Sequence, residues 1–233
     1  MNKVNHDRAM REQIAALPAG ERPGLLLHAC CAPCSSACLE RLVPDFAVTV
    51  FYYNPNIDEA SEYAKRLEEE KRLIRAYNER IRDPRAGTED AVSPGLRIPA
   101  GAEPVPIGIL EGRYDPAEFH GAVRGMEDLP EGGERCAVCF RLRLAETARI
   151  AAAEGFPYMT TTLTISPLKD ADLLNAIGEE TAREHGVRWL PSDFKKRDGY
   201  RRSIELSQEY GLYRQDYCGC GYSRRERETN NNS

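Results

Sequence analysis

The sequence predicts a three-layer α/β fold: an open parallel sheet of about five strands with helices on both faces. Three observations predict it. Short apolar or β-branched runs alternate five times with helix-forming stretches. The runs are apolar throughout, as strands buried on both faces require. Finally, HACCAPC, YNPN, TISPLK and PSDFKK each follow one of those runs, on the edge where an open parallel sheet places its ligands.

Taken in order, residues 1–23 are a polar N-terminal extension with loose helical character. GLLLHA (24–29) is the first strand, followed by a Cys/Pro turn and the helical SSACLERLV. FAVTVFYYNP (46–55) is β-branched and aromatic, and it ends at a turn. Helix formers run from Asp58 to about Arg80 and stop before Pro84. PVPIGIL (104–110) is the third strand. PAEFHGAVRGM (116–126) is a short helix, and CFRLRLAETARIAAAEG (139–155) a long one closed by Gly155. PYMTTTLT (157–164) is the fourth strand, DADLLNAIGEETAREHG (170–186) a helix, VRWLPSDF (187–194) the fifth strand and GYRRSIELSQEYG (199–211) the last helix. Residues 24–228 thus make a single α/β catalytic domain, Rossmann-like or HUP-like. Residues 82–103 are a flexible Pro/Gly-rich loop and 229–233 a disordered tail.

The 233 residues carry a net charge of −5, which excludes a uniformly basic nucleic-acid binder. No apolar run approaches the ~20 residues of a membrane span, and MNKVNHDRAMREQ lacks the apolar stretch of a secretion signal. A soluble, cytoplasmic protein is expected. The charge is uneven, however. Residues 194–228 hold nine basic against six acidic side chains, a modest pointer to an anionic partner that competes with an ordinary solvated helix face.

Eight cysteines fall in three groups: Cys30, Cys31, Cys34 and Cys38; Cys136 and Cys139; Cys218 and Cys220. In a reducing compartment such short spacings suit metal ligands or redox groups better than structural staples. Cys38, four residues after Cys34 in a helix, reads as a core residue. Cys30 and Cys31 leave a strand in different directions, so they do not both face the core. Cys136 and Cys139 flank a helix start, whose N–H groups stabilise thiolates. Zinc and an iron–sulfur cluster both remain open on spacing, with the adjacent pair and its further thiols favouring the cluster. A disulfide across Cys218-Gly-Cys220 closes a very small ring and is readily reduced, which suits reversible electron transfer. The alternative there is a metal-binding turn.

The stretches LLLHACCAPCS, FYYNPNIDEASEYAKR, RCAVCFRLRLAETA, TTTLTISPLKD and LPSDFKKRDGYRRSIELSQEYGLYRQDYCGCGYS resemble the epoxyqueuosine reductases of the QueH type. That resemblance implies an oxidoreductase acting in the last step of queuosine biosynthesis. It would remove the epoxide oxygen of epoxyqueuosine at the tRNA wobble position, without cobalamin. It implies that Cys30, Cys31, Cys136 and Cys139 ligate a [4Fe-4S] cluster and that Cys218 and Cys220 form the redox-active pair. Cys34 stands where the family tolerates other residues, including Asp, and is a donor for one additional iron ion. The reaction consumes two electrons, from a donor of unknown identity, and two protons. Asp193, Lys195, Tyr52 and Tyr53 lie at strand ends as candidate proton donors. Lys195, Lys196, Arg197, Arg201, Arg202, Arg224 and Arg225 are candidates for tRNA phosphates, and tyrosines for stacking on splayed bases.

Three other readings compete. A tRNA-thiolating ATP pyrophosphatase needs a Gly/Ser-rich phosphate loop after strand one, where this chain has the glycine-free HACCAPC. A zinc-stabilised RNA-binding module would be separated by metal content. A thiol oxidoreductase acting on proteins lacks the C-x-x-C of the thioredoxin type beside a βαβ start.

Overall fold

A computed structural model of the chain describes residues 4–83, 96 and 103–231. Five strands, β1 (Gly24–Ala29), β2 (Ala47–Tyr52), β3 (Gly108–Glu111), β4 (Tyr158–Thr161) and β5 (Arg188–Trp189), pair in parallel in the order β3-β2-β1-β4-β5. The chain steps outward from β1 to β3, then returns to the other side of β1 for β4 and β5. The order therefore reverses between β1 and β4, where His28 pairs with Thr161. Such a reversal opens a crevice at the carboxyl ends of the two strands.

Helices cover both faces because successive residues of each strand point to opposite sides. Leu25 and Leu27 of β1 pack with α2 (Ala32–Leu42), α3 (Ala60–Arg82) and α7 (Gly199–Glu209) through Leu39, Leu73 and Leu206. Leu26, between them, packs on the other side with α5 (Glu134–Ala153) and α6 (Ala171–Glu184) through Leu144 and Leu174, with Trp189 of β5 in the same cluster. The expected three-layer fold is the one observed. Shorter helices α1 (His6–Ala15) and α4 (Pro116–Ala122) and a final helix α8 (Gly221–Asn231) complete the described chain.

Several boundaries differ from the sequence expectation, for local reasons. β5 keeps only Arg188 and Trp189 of the expected run 187–194, which contains Pro191, a residue without an N–H for the ladder. β3 starts at Gly108, beyond Pro104 and Pro106. The fourth strand ends at Thr161, whose hydroxyl accepts from Leu163 N–H (3.1 Å) and turns Thr162–Ile165 into a 3₁₀ helix. α5 begins at Glu134, so Cys136 lies inside its first turn. α8 was not expected, and it runs to Asn231, into the tail read as disordered from residue 229. Most of the 82–103 loop lies outside the described residues, although Leu96 is buried in the core. No helix among the described residues is long and apolar enough to cross a membrane.

Candidate active site

The first thiol group is built by the way β1 hands over to α2. Cys31 caps α2 in extended conformation, and Pro33 occupies the first turn, where no N–H is needed. Cys30, Cys31 and Cys34 are thereby gathered with their sulfurs all within 4.8 Å of one another, and Cys30 and Cys31 are 3.7 Å apart. Cys30 N–H donates to Thr162 Oγ1 (3.4 Å), which fixes the turn at the β1/β4 crevice. Cys38 is fully buried in the core and stands outside this trio, as expected.

The second group sits in the first turns of α5. Cys136 Sγ accepts from Gly132 N–H (3.2 Å), and Cys139 is buried one turn further on. Cys30 and Cys136 pack against one apolar cluster that includes Tyr53, Phe140 and Leu163. The third group, Cys218 and Cys220, consists of free thiols in the loop before α8. Gly219 has φ +117°, and a Cβ there would come 2.8 Å from Ile57 Cγ1, so the loop requires glycine. The Cys218 carbonyl accepts from Asn56 Nδ2 (3.4 Å) and Arg66 Nη1 (3.3 Å), and Gly221 N–H donates to Asp58.

Cys218 joins the groups. It lines a cavity of about 420 Å³ with Cys30, Cys31 and Cys34, and a narrow cleft of about 20 Å³ with Cys136, Cys139 and Cys220. Seven of the eight thiols therefore meet at one edge of the sheet. Among the described residues, the trio is the set at single-ion spacing. Tetrahedral metal–sulfur bonds of ~2.3 Å put neighbouring sulfurs about 3.8 Å apart, and Cys30 and Cys31 match that. A polynuclear cluster holds its ligands further apart, and Cys136 and Cys139 face the adjoining cleft. Soft sulfur donors in this number suit zinc, copper(I) or an iron–sulfur group.

Cations surround the sulfurs. Arg143 is 1% exposed, and no carboxylate among the described residues pairs with it. Its Nε donates to His28 Nε2 (3.2 Å), its Nη2 to Asn54, and Nη1 has no hydrogen-bond partner among the described residues. A buried, unpaired guanidinium is costly; here the anions that offset it are thiolates. Burial alone would lower its pKa, but Cys139, Cys218 and Cys30 outweigh that and raise it. His28 Nε2 lies between the Arg143 Nε–H (3.2 Å) and the Tyr53 carbonyl (3.1 Å), and its Nδ1 meets Thr161 Oγ1 (2.8 Å). Burial, then the Arg143 charge, pushes His28 down to about 3, so the ring is neutral.

Arg66 pairs with Glu62 (2.7 Å), and its buried Nη2 has no hydrogen-bond partner among the described residues. Lys169, on the loop after the 3₁₀ helix, lines both the cavity and the cleft. Burial would lower its pKa, yet Cys218, Cys30 and Cys34 prevail and raise it. Hydrogen bonds from Cys31 and Cys34, then the charges of Lys169 and Arg143, hold Cys30 well below the usual thiol range. Its own bond to Cys30 raises Cys31 to about 12, and burial does the same for Cys139 and Cys220. Within the trio the anionic form is thus favoured at Cys30 and disfavoured at Cys31 and Cys34.

The candidate proton donors are placed elsewhere. Asp193 and Lys195 pair with each other (3.0 Å) and line neither the cavity nor the cleft; Lys195 Nζ reaches the Lys169 carbonyl at 3.5 Å. Tyr52 donates to the Tyr63 carbonyl (3.3 Å) and Tyr53 to Glu118 (2.7 Å), and both rings are buried. Of the candidate phosphate contacts, Arg202 is forked onto Glu40 (2.9 Å twice), Arg201 faces Asp198, and Arg224 pairs with Glu59. Lys196 and Arg197 are exposed.

His28, Arg66, Glu70, Arg143 and Lys169 were not singled out from the sequence. Two signals were available. Arg143 follows Cys136 by seven residues and Cys139 by four, so all three share a helix face. Glu62, Arg66 and Glu70 likewise repeat every four residues, and all are buried.

The family model described as "Epoxyqueuosine reductase QueH" matches residues 25–91 and 97–226. Among curated relatives carrying that name, the protein of Streptococcus pyogenes serotype M1 is 40% identical over 95% of this chain and 78% of its own length. That of Staphylococcus epidermidis is 36% identical over 95% of this chain and 85% of its own. That of Thermotoga maritima is 32% identical over 87% of this chain and 91% of its own.

Proposed function

The chain belongs to the epoxyqueuosine reductase QueH family, and from that premise we propose that it reduces epoxyqueuosine in tRNA to queuosine. The reaction breaks both C–O bonds of the epoxide, forms an alkene and releases the oxygen as water. It consumes two electrons and two protons and needs no cobalamin. The convergence of seven thiols on one sheet edge carries this reading.

Thiolate donors and buried cations without carboxylate partners fit an anionic iron–sulfur group. Cys30, Cys31, Cys136 and Cys139 would hold a [4Fe-4S] cluster, with Cys34 a donor to one additional iron ion. When bound, the cluster supplies electrons one at a time. The chain's own residues do the rest. Cys218 and Cys220 as a dithiol release two electrons and two protons on closing to the disulfide. Arg66 and Asn56 hold their loop by the Cys218 carbonyl. The cavity of about 420 Å³ is the size that receives one small ring.

The test is anaerobic incubation with epoxyqueuosine-containing tRNA and a reductant, followed by nucleoside mass spectrometry. Loss of one oxygen mass is expected; unchanged nucleoside would overturn the reading. Anaerobically purified protein should be brown, with about four irons and four acid-labile sulfides per cluster. Colourless protein with stoichiometric zinc would support the RNA-binding module instead.

A further inference from the structure

We infer that Lys169 is the general acid that protonates the epoxide oxygen as its C–O bond breaks. The inference rests on the proposed reductase reading and adds the donor which that reading lacks.

Four residues line both the cavity and the cleft: Glu131, Leu168, Lys169 and Cys218. A substrate oxygen placed beside Cys218, where the cavity meets the cleft, would lie next to these side chains. Leu168 offers no proton. Glu131 is engaged elsewhere: it accepts from Ser223 Oγ (3.2 Å) and faces Arg227 (3.9 Å). Lys169 has no carboxylate partner among the described residues. The ion pair Lys195–Asp193 stands behind it, with Lys195 Nζ 3.5 Å from its carbonyl, so the supporting loop is held from the outer side. Lys169 is also half-buried, which strengthens its field on a developing negative charge.

The chemistry balances. An alkoxide is far more basic than an amine, so proton transfer from the ammonium to the departing oxygen runs downhill. The Cys218/Cys220 dithiol loses two electrons and two protons and becomes the disulfide. One of those protons reloads the Lys169 amine and the other completes the water. Epoxide and dithiol thus become alkene, water and disulfide, and Lys169 ends unchanged.

Arginine separates this role from mere counter-charge, because it keeps the positive charge but does not give up its proton. In single-turnover assays on the cluster-loaded enzyme, Lys169→Arg and Lys169→Met should both lose about 100-fold or more in rate, as removal of a general acid does. In Lys169→Arg, which keeps the charge, iron content and tRNA affinity should stay within twofold of wild type. Near-wild-type turnover in Lys169→Arg would overturn the inference, as would loss of iron from that variant, since either makes Lys169 a charge that supports the cofactor. A large loss in Glu131→Gln with Lys169→Arg active would move the role to Glu131. If wild type itself leaves epoxyqueuosine unchanged, it is the reductase reading that fails.

Discussion

Arg66 Nη1 donates to the carbonyl of Cys218 across 3.3 Å, so a buried side chain of α3 holds the Cys-Gly-Cys loop in place. The same guanidinium pairs with Glu62 at 2.7 Å. Arg66→Met should cost up to roughly 3–5 kcal/mol, because it leaves the mostly buried Glu62 carboxylate without its cation, held by the Tyr213 hydroxyl (3.1 Å). Hydrogen exchange of the 218–221 amides should accelerate more than that of β1. Uniform acceleration would mean that Arg66 supports the whole fold and not this loop.

Glu70 is fully buried, and no hydrogen bond to either carboxylate oxygen is formed among the described residues. Burial raises it to about 8, against ~4.3 in an unfolded chain. Between those values the folded protein keeps a proton that the unfolded chain has released. Stability is therefore fully present below ~4.3, falls as pH rises, and levels off above about 8. In metal-free protein, Glu70→Gln should raise the urea midpoint clearly at pH 8 and much less at pH 5. An equal gain at both values contradicts a protonated native Glu70.

Cys30→Ser should remove most of the bound iron, whereas Cys38→Ala, deep in the core and outside the thiol trio, should retain it. Iron and sulfide assays after anaerobic purification decide this. Equal iron loss in both variants would place Cys38 among the ligands.

Gly178 faces the indole of Trp189, where an added Cβ would lie 2.5 Å from ring carbons. Alanine favours helix by ~1 kcal/mol over glycine, but forced overpacking costs about 1–3 kcal/mol. Gly178→Ala should therefore destabilise the protein and shift the emission of its single tryptophan. A more stable variant with unchanged fluorescence would contradict the contact.

Lys196 and Arg197 are exposed and outside the ion pairs that occupy Arg201, Arg202 and Arg224. Reversing both charges should weaken tRNA binding and lower its salt dependence by about two counterions. Filter binding at several salt concentrations measures this; unchanged slopes would move the tRNA surface elsewhere.

Apolar strands and glycine-closed helices made the layered architecture legible, because burial on both faces leaves a direct mark on composition. Strand ends were less so, since a single proline, as at Pro191, cuts a ladder whose apolar run continues. The cysteines stood out by spacing alone. The buried ionisable side chains did not: Arg66 and Glu70 lie in a helix so rich in charge that its inward stripe looks like its solvated face. Lys195 stood out in the sequence and Lys169 did not, yet the fold pairs Lys195 with Asp193 and sets Lys169 beside the thiols.

β1 lies in the middle of the sheet, hydrogen-bonded to β2 on one side and β4 on the other, and the thiol trio emerges from its end. The scaffold is thus finished by ordinary packing before any inorganic group arrives. If the proposed cluster is lost, the emptied protein should therefore stay folded, unlike small zinc modules that collapse when stripped.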